Sequence, residues 1–466
     1  MFKPVSMLAL ALAASTAYAS PIIVNSAADS GDGSLRAALA QASQANTAQE
    51  IIITHKDDIA LASGLSYTGR APLIITGHAQ TLSLSANATL LSVTEGADLT
   101  LNSLRLQGPA GFSIEKRGDV GGQTAGKGLF VDVRDDQTGT VHLELNDVVV
   151  TGFANHGVHL SDCSLADDCG GGSGGAGEGS PASIAVMLNN VEVNNVGQGR
   201  FDADGLRVDE RAAGDIRFTA VNSSFTYVGA DGVELDEGQA GDVIVSVDNS
   251  SFNKNGAYCD PTLLKPFMPQ VDEAEYDDGQ AKESDVPAKV SGTADDRCFE
   301  REVKLYKSGS VKSYEFAIDL DDGFDIDEAG DGDLRAVVRN SVIRDNLDEG
   351  LDFDEEGSGS ILLTIVNTEA TGNTDDGFKN SEADAGDVRA TMSGSVAQAN
   401  GGKGAVFEEE NDGDVAVVVL NSQTAKNDDS DKTGLEVVQE DAGNGVATVI
   451  NSDIADGIDA EGVSVK

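Results

Sequence analysis

A stacked all-β solenoid is what this sequence predicts, and three observations predict it. Glycines at 128, 157, 205, 232, 323, 350, 377, 404, 434 and 462 each open a short apolar run, and four successive steps between them are 27 residues. After these glycines apolar and polar residues alternate, as in Leu351-Asp352-Phe353-Asp354 and Val233-Glu234-Leu235-Asp236, which marks a half-buried strand. A second apolar run follows a Gly-Asp turn at 215–221, 242–247, 333–338 and 414–420, and a third short run follows an Asn. A unit of this length cannot bury its own apolar face. Stacked units can, because each strand pairs with its equivalent one coil away, at about 4.8 Å. The chain has room for about twelve such coils. Strict alternation excludes a helical solenoid, and a propeller would need antiparallel hairpins.

The elements follow in order. Residues 1–19 read as a secretory leader: Lys3 supplies the positive start, Val5 to Ala14 a short apolar stretch, and Ala17-Tyr18-Ala19 a small-x-small cleavage site. The mature chain is then expected to start near Ser20, in the periplasm or outside a bacterial cell. Residues 20–50 are a cap in which Ser34 is a fair N-cap and Leu35, Leu39 and Ala42 form an apolar stripe. A short helix there would plug the open end of the stack and its exposed strand edges. Coils fill 51–257 and 314–466. Between them, 258–313 breaks the repeat and reads as an inserted lobe. The chain has four cysteines. The expected pairs are Cys163–Cys169 and Cys259–Cys298, each pinning an excursion from the repeat, with the two other pairings left open. No CxxC spacing suggests a thiolate metal site.

Charge narrows the function classes. Lys and Arg number 31 against 79 Asp and Glu, a formal charge of −48. Phosphate-reading nucleic-acid binding needs a positive surface, so it is excluded. No run after the leader approaches 18 apolar residues, so no transmembrane segment follows it. A monomer is expected.

Asn146, Asn190, Asn222, Asn249, Asn340, Asn367, Asn421 and Asn451 form a column of their own, each closing a second strand. Asn tolerates the left-handed turn conformation, and its amide can bond to the copies above and below. The column resembles the asparagine ladder of right-handed parallel β-helices with the pectate-lyase-like fold. It makes the predicted class an all-β right-handed parallel β-helix. The segment Asp29-Ser30-Gly31-Asp32-Gly33-Ser34-Leu35-Arg36-Ala37-Ala38 resembles the start of bacterial secreted β-helix proteins that in many cases read C-S-L-R-E-A. Here Gly33 stands in place of the Cys and Ala37 in place of the Glu.

Stacking turns the outward positions into columns. Two residues after the glycine stand Arg207, Glu234, Asp325, Asp352 and Lys379; four after stand Asp209, Asp236, Asp327, Asp354, Ser381 and Glu408; five after, the residue is always Glu from Glu210 to Glu409. One strip of the surface is therefore expected to be dense in carboxylates. Like charges about 5 Å apart repel by roughly 1 kcal/mol in water, so the strip needs bound Ca²⁺, external salt or protons. The expected Ca²⁺ ligands are Asp322, Asp325, Asp327, Asp352 and Asp354.

Asp321-Asp322-Gly323-Phe324-Asp325 resembles the calcium motif of one pectate-lyase family, and Asp375-Asp376-Gly377-Phe378-Lys379 repeats it with Lys in the last place. The resemblance implies a uronan lyase in which Ca²⁺ neutralises a substrate carboxylate and Lys379 removes the adjacent proton. Against it, Lys379 lies one coil from Asp352, a ready ion pair, and the chain has no Trp for a sugar platform. His156 and His159 read as turn residues. Arg301, Lys304, Tyr306, Lys307, Lys312 and Tyr314 give the lobe a basic-aromatic cluster suited to a glycan or cell-surface partner. The sequence thus predicts an exported, acidic, calcium-responsive β-helix for surface interaction, adhesion or matrix, without catalysis, with the lyase as alternative.

Overall fold

The computed structural model describes residues 20–113, 126–162, 179–200, 202–264, 273–287, 298–306, 308–318, 320–427, 432–440 and 442–466. The expected leader and the Cys163–Cys169 pair lie outside these residues.

The chain winds into a parallel β-helix. A complete coil supplies three strands, for instance Leu351–Gly357, Ile361–Val366 and Glu369–Thr371. The first joins a twelve-stranded sheet and the other two a 22-stranded sheet. Every pairing in both sheets is parallel and between successive coils: Phe324 faces Leu351, and Leu351 faces Phe378. Inward positions are mostly Leu, Val, Ile, Phe and Ala, because a polar side chain there would need a hydrogen-bond partner in the core. Phe324, Phe353, Phe378 and Phe407 are all 0 % exposed, and each such side chain contributes about 1.5–3 kcal/mol. Phe225 and Phe252 stack at 5.3 Å with rings 2° from parallel, the coil spacing imposed on aromatic rings.

The cap forms as expected. Ser34 Oγ accepts the Ala37 N–H at 3.3 Å, and helix Leu35–Ala42 buries Leu35, Ala38, Leu39 and Ala42 over the first coil. The lobe is a three-stranded antiparallel sheet of Glu273–Glu275, Phe299–Leu305 and Val311–Ile318. Cys259 and Cys298 are disulfide-bonded at its base. The sheet uses residues to Ile318, so the lobe extends past the expected boundary at 313.

The asparagine column is in part as predicted. Asn190, Asn222, Asn249, Asn340, Asn367, Asn421 and Asn451 all have φ between 49° and 56°, the left-handed corner between second and third strands. Asn146 does not; the next residue, Asp147, turns the corner there, at φ 54°. The corner asparagines are exposed, and their side-chain bonds are intermittent. The continuous amide ladder is a different, buried column that begins four residues before the coil-opening glycine at Asn346, Asn373 and Asn400 and continues to Asn427. Asn346 Nδ2 donates to Asn373 Oδ1 at 3.0 Å, Asn373 to Asn400 at 3.1 Å, and Asn400 to Asn427 at 3.0 Å. Beside the exposed corners runs a hydroxyl ladder. The backbone N–H of Ser250 donates to Ser341 Oγ, Thr368 to Ser395, Ser395 to Ser422 and Ser422 to Ser452, at 3.1–3.2 Å.

Asn373 is 2 % exposed and accepts from both the backbone and the amide of Asn346. Asn373→Leu should therefore cost about 1–3 kcal/mol for the buried donors left unpaired. An apolar change at exposed Ser358, away from both ladders, should cost under about 0.5 kcal/mol. Denaturant titration of the two variants measures the difference.

Candidate metal centre and buried ion network

The outer side of the twelve-stranded sheet carries the predicted site. Strands Phe324–Gly330, Leu351–Gly357 and Phe378–Asp384 lie in register, pairing Asp325 with Asp352, Asp327 with Asp354 and Asp352 with Lys379. Asp322 reaches the same place from the preceding turn, where one of its oxygens accepts the Glu349 N–H at 2.7 Å. Carboxylate oxygens of Asp322, Asp325 and Asp352 come within 4.8 Å of one another. Asp327 and Asp354 face each other one column along and are not part of this trio.

Burial, then the neighbouring carboxylates, push Asp322, Asp325 and Asp352 well above the usual carboxylate range. Among the described residues the cation that reaches the trio is Lys379. Its Nζ lies 2.7 Å from Asp352 Oδ2, 3.8 Å from Glu349 and 3.9 Å from Asp354. The other oxygen of Asp352 is buried without a hydrogen-bond partner. Burial alone would lower the Lys379 ammonium, but Asp352, Asp354 and Glu349 outweigh it and hold it protonated far into alkaline solution. An open groove of about 390 Å³ adjoins it, lined by Glu349, Asp376, Lys379, Lys403 and Glu408.

The acidic strip is not the solvated face the sequence suggested. Glu210, Glu237, Glu328, Glu355, Glu382 and Glu409 are each 0 % exposed. The fifth position after the glycine is where the strand turns, and the Glu side chain folds back to take the N–H groups of that turn, as Glu355 does from Gly359 at 3.0 Å. Asp209 and Asp236 are also buried, because they belong to a network that sequence reasoning missed.

That network centres on Arg207. Its guanidinium meets Glu234 at 2.6 Å, Asp236 at 2.7 Å, Asp209 at 2.8 Å and Asp202 at 2.9 Å. Arg211, wholly buried, reaches Asp236 at 2.7 Å. On the preceding coil His159 Nε2 lies 2.6 Å from Asp209, and Lys127 Nζ lies 2.6 Å from His159 Nδ1. An ammonium only donates, so Nδ1 accepts and Nε2–H donates to Asp209. Burial and then Lys127 lower the His159 imidazole to about 3, which keeps it neutral in this role. His159 is thus a strand residue, not a turn residue. The signal was its place two residues after Gly157, the column of Arg207 and Glu234. Asp202, Asp204 and Glu234 also converge, but Arg207 already lies within 2.6–3.6 Å of all three. A protein cation fills that position.

In the lobe, Tyr276 and Tyr314 stack 6.3 Å apart and pack on Ala281, Val286 and Val311. Tyr306 donates to the Tyr276 carbonyl at 3.0 Å. The predicted aromatic cluster therefore builds the lobe's own small core. Lys307 lies outside the described residues.

No protein-family model matches the chain, and no curated protein matches it. Solved structures that align over long stretches include three carbohydrate-active proteins. The A-module of the Azotobacter vinelandii mannuronan C-5 epimerase AlgE4 is 10 % identical over 95 % of each chain, with a TM-score of 0.37. Pectate lyase Pel9A is 13 % identical over 97 % of this chain and 79 % of that one, at 0.34. The GH136 lacto-N-biosidase from Eubacterium ramulus is 10 % identical over 87 % and 64 %, at 0.40. Likeness at this level carries no chemistry; the parallel register of its coils is what makes this chain a β-helix.

Arg207→Leu would leave Asp204, Asp209, Glu234 and Asp236 buried around an apolar side chain. The expected loss is about 3–5 kcal/mol at neutral pH. Part of it should return on acidification, as the stranded carboxylates take up protons. Denaturant titrations at pH 5 and pH 8 give the comparison.

Proposed function

We propose that the protein is an exported, acidic β-helix that holds Ca²⁺ on Asp322, Asp325 and Asp352 and works in surface interaction, adhesion or matrix without catalysing a reaction. The observation that carries this reading is the trio itself: three desolvated carboxylates within 4.8 Å, one with an oxygen that has no hydrogen-bond partner. An all-oxygen, anionic donor set suits a hard cation that takes six to eight oxygens. Three carboxylates fill only part of such a shell. The remaining positions face the outer side of the sheet, where an anionic group of a partner would complete it. A strongly acidic protein meets an acidic glycan or surface most readily through such a shared cation. The absence of catalysis is supported by Lys379, whose three carboxylate neighbours keep it charged.

One observation favours the lyase as second reading: Lys379 is held by the same Asp352 that a cation would use, so cation binding at Asp352 weakens the grip on the lysine. The two readings separate on a panel of uronans with Ca²⁺ present. Ultraviolet-absorbing unsaturated products that vanish in Lys379→Ala establish the lyase. No turnover, together with retention on an immobilised polyuronate that chelator abolishes, establishes the binding protein.

The cation also makes a pH prediction. The trio's carboxyls are raised in the folded chain, so the metal-free fold gains stability from them at acid pH. It loses that contribution as pH rises from about 4 through the raised values. Ca²⁺ takes the ionised carboxylates and opposes the loss. The rise in melting temperature on replacing chelator with Ca²⁺ should thus be larger at pH 8 than at pH 5. Ca²⁺ at a hundredfold excess over its Kd is worth about 2.7 kcal/mol. Asp352→Asn should remove most of the effect in the same melts.

A further inference from the structure

Six buried glutamates stand one above another in the wall of the solenoid: Glu210, Glu237, Glu328, Glu355, Glu382 and Glu409, in register on consecutive coils, with Gln439 next. At the two ends the carboxylates are well supplied with donors. Glu210 accepts from Gly214 N–H at 3.0 Å and Ala212 N–H at 3.2 Å, and Glu237 from Gly241 at 2.9 Å and Gln239 at 3.1 Å. Glu409 accepts from Asn411 N–H at 3.0 Å and from the Gln439 amide at 2.9 Å. In the middle each carboxyl has a single turn donor. Glu355 keeps the Gly359 N–H on one oxygen, and Glu328 and Glu382 lie against one turn N–H each, from Gly332 and Gly386; beyond these, the oxygens of the three meet only the carboxyls above and below.

Among the described residues, no basic side chain is among the main influences on these three. Glu328 faces Glu237 and Glu355, Glu355 faces Glu328 and Glu382, and Glu382 faces Glu355 and Glu409. At the N-terminal end of the column, Glu210 faces Asp162 and Glu237. An ionised carboxylate only accepts, so two of them on adjacent coils cannot bond to each other. Buried anions without donors cost several kcal/mol each. One proton on each supplies the missing donor, and at the coil spacing of about 4.8 Å each O–H points along the stack to the next carboxyl.

We propose that Glu328, Glu355 and Glu382 are neutral carboxylic acids in the folded protein, joined by O–H···O bonds into a spine across successive coils, and that ionising this spine loosens the solenoid in alkaline solution. The spine is independent of the cation trio, which lies on other columns. Burial, with the flanking carboxyls, raises Glu328 to about 8 and Glu355 and Glu382 to about 9, and raises Glu210 and Glu237 in the same way. The folded values exceed the unfolded one, so the spine's contribution is complete below about pH 4.5. It fades as pH climbs through 8 to 9.

The test uses the full chain with its glutamate side-chain carboxyls labelled with ¹³C, in chelator so that no divalent cation is present. The expected result is a set of carboxyl resonances that titrate near pH 8 to 9, one of which disappears in Glu382→Gln. Gln keeps a donor at that place without a titrating proton. The melting temperature of Glu382→Gln should therefore fall less between pH 7 and pH 10 than that of the parent, whereas Glu461→Gln, an exposed change of equal charge, should follow the parent. The proposal is overturned if every glutamate carboxyl is ionised by pH 6, as it would be with a monovalent cation seated between the coils. It is equally overturned if Glu382→Gln and Glu461→Gln give the same alkaline melting curve.

Discussion

Everything in this molecule depends on one constraint: successive coils pair in parallel and in register, residue for residue. Register makes a neighbour of whatever occupies the same place one coil away, so Asp325 lies beside Asp352 and Asp352 beside Lys379. A favourable pairing is thereby repeated along the rod, and so is an unfavourable one. The apolar columns gain from repetition directly. Amide and hydroxyl columns gain because Asn, Ser and Thr each donate and accept, so that the stack is its own hydrogen-bond partner. Carboxylate columns have no such self-sufficiency, and each must obtain positive charge or hydrogen from somewhere else.

The structure supplies it differently in different columns. At Arg207 a guanidinium with five donors gathers four carboxylates from its own coil, the turn before it and the next coil. At Lys379 an ammonium meets Asp352. At Glu210 and Glu237 turn N–H groups contribute, though burial and the neighbouring carboxyls still raise the two to about 8 and about 9. Where none of these is in reach, a proton or an exogenous cation is the remaining choice. Geometry decides between them. The Glu column is enclosed and its side chains stack directly on one another, which suits a shared proton. The Asp trio converges from three backbone positions on the outer side of the sheet, which suits a cation with a large and adaptable shell.

The repeat, the capping helix, the disulfide at Cys259 and Cys298 and the pairing of Lys379 with Asp352 were all legible in the sequence, because spacing alone determines what stacks on what. What spacing does not determine is which side of the wall a polar residue faces once the strand has ended. Glu210 to Glu409 and the surface columns have the same period. Only the turn geometry, with a glycine four residues on whose N–H the Glu caps, sends them inward. The same limit hid the amide ladder. Asn346, Asn373 and Asn400 are as regular as the exposed Asn340 and Asn367, and burial alone distinguishes them. His159 was hidden for another reason: one histidine in a column otherwise of Arg and acids looks accidental until Lys127, which lies outside that column, is seen to fix its tautomer.

Among the described residues, the basic side chains along the outer columns leave one stretch of the acidic strip without a protein cation. Arg207 neutralises Glu234 and Asp236 on the coil that follows it, and Lys379 neutralises Asp352 on the coil that precedes it. The rung between, with Asp325 and Asp327, receives neither. Burial leads, and the facing carboxyls of Asp236, Asp352 and Asp354 are among the groups that push this pair upward. A rung with two acids, low dielectric and no protein cation is where a divalent ion gains most, since Coulomb attraction there is several-fold stronger than in water. Farther along the rod the deficit is corrected again, with Lys403 paired to Glu436. The half-buried Asp325–Asp327 rung thus stands between two rungs that each hold a protein cation.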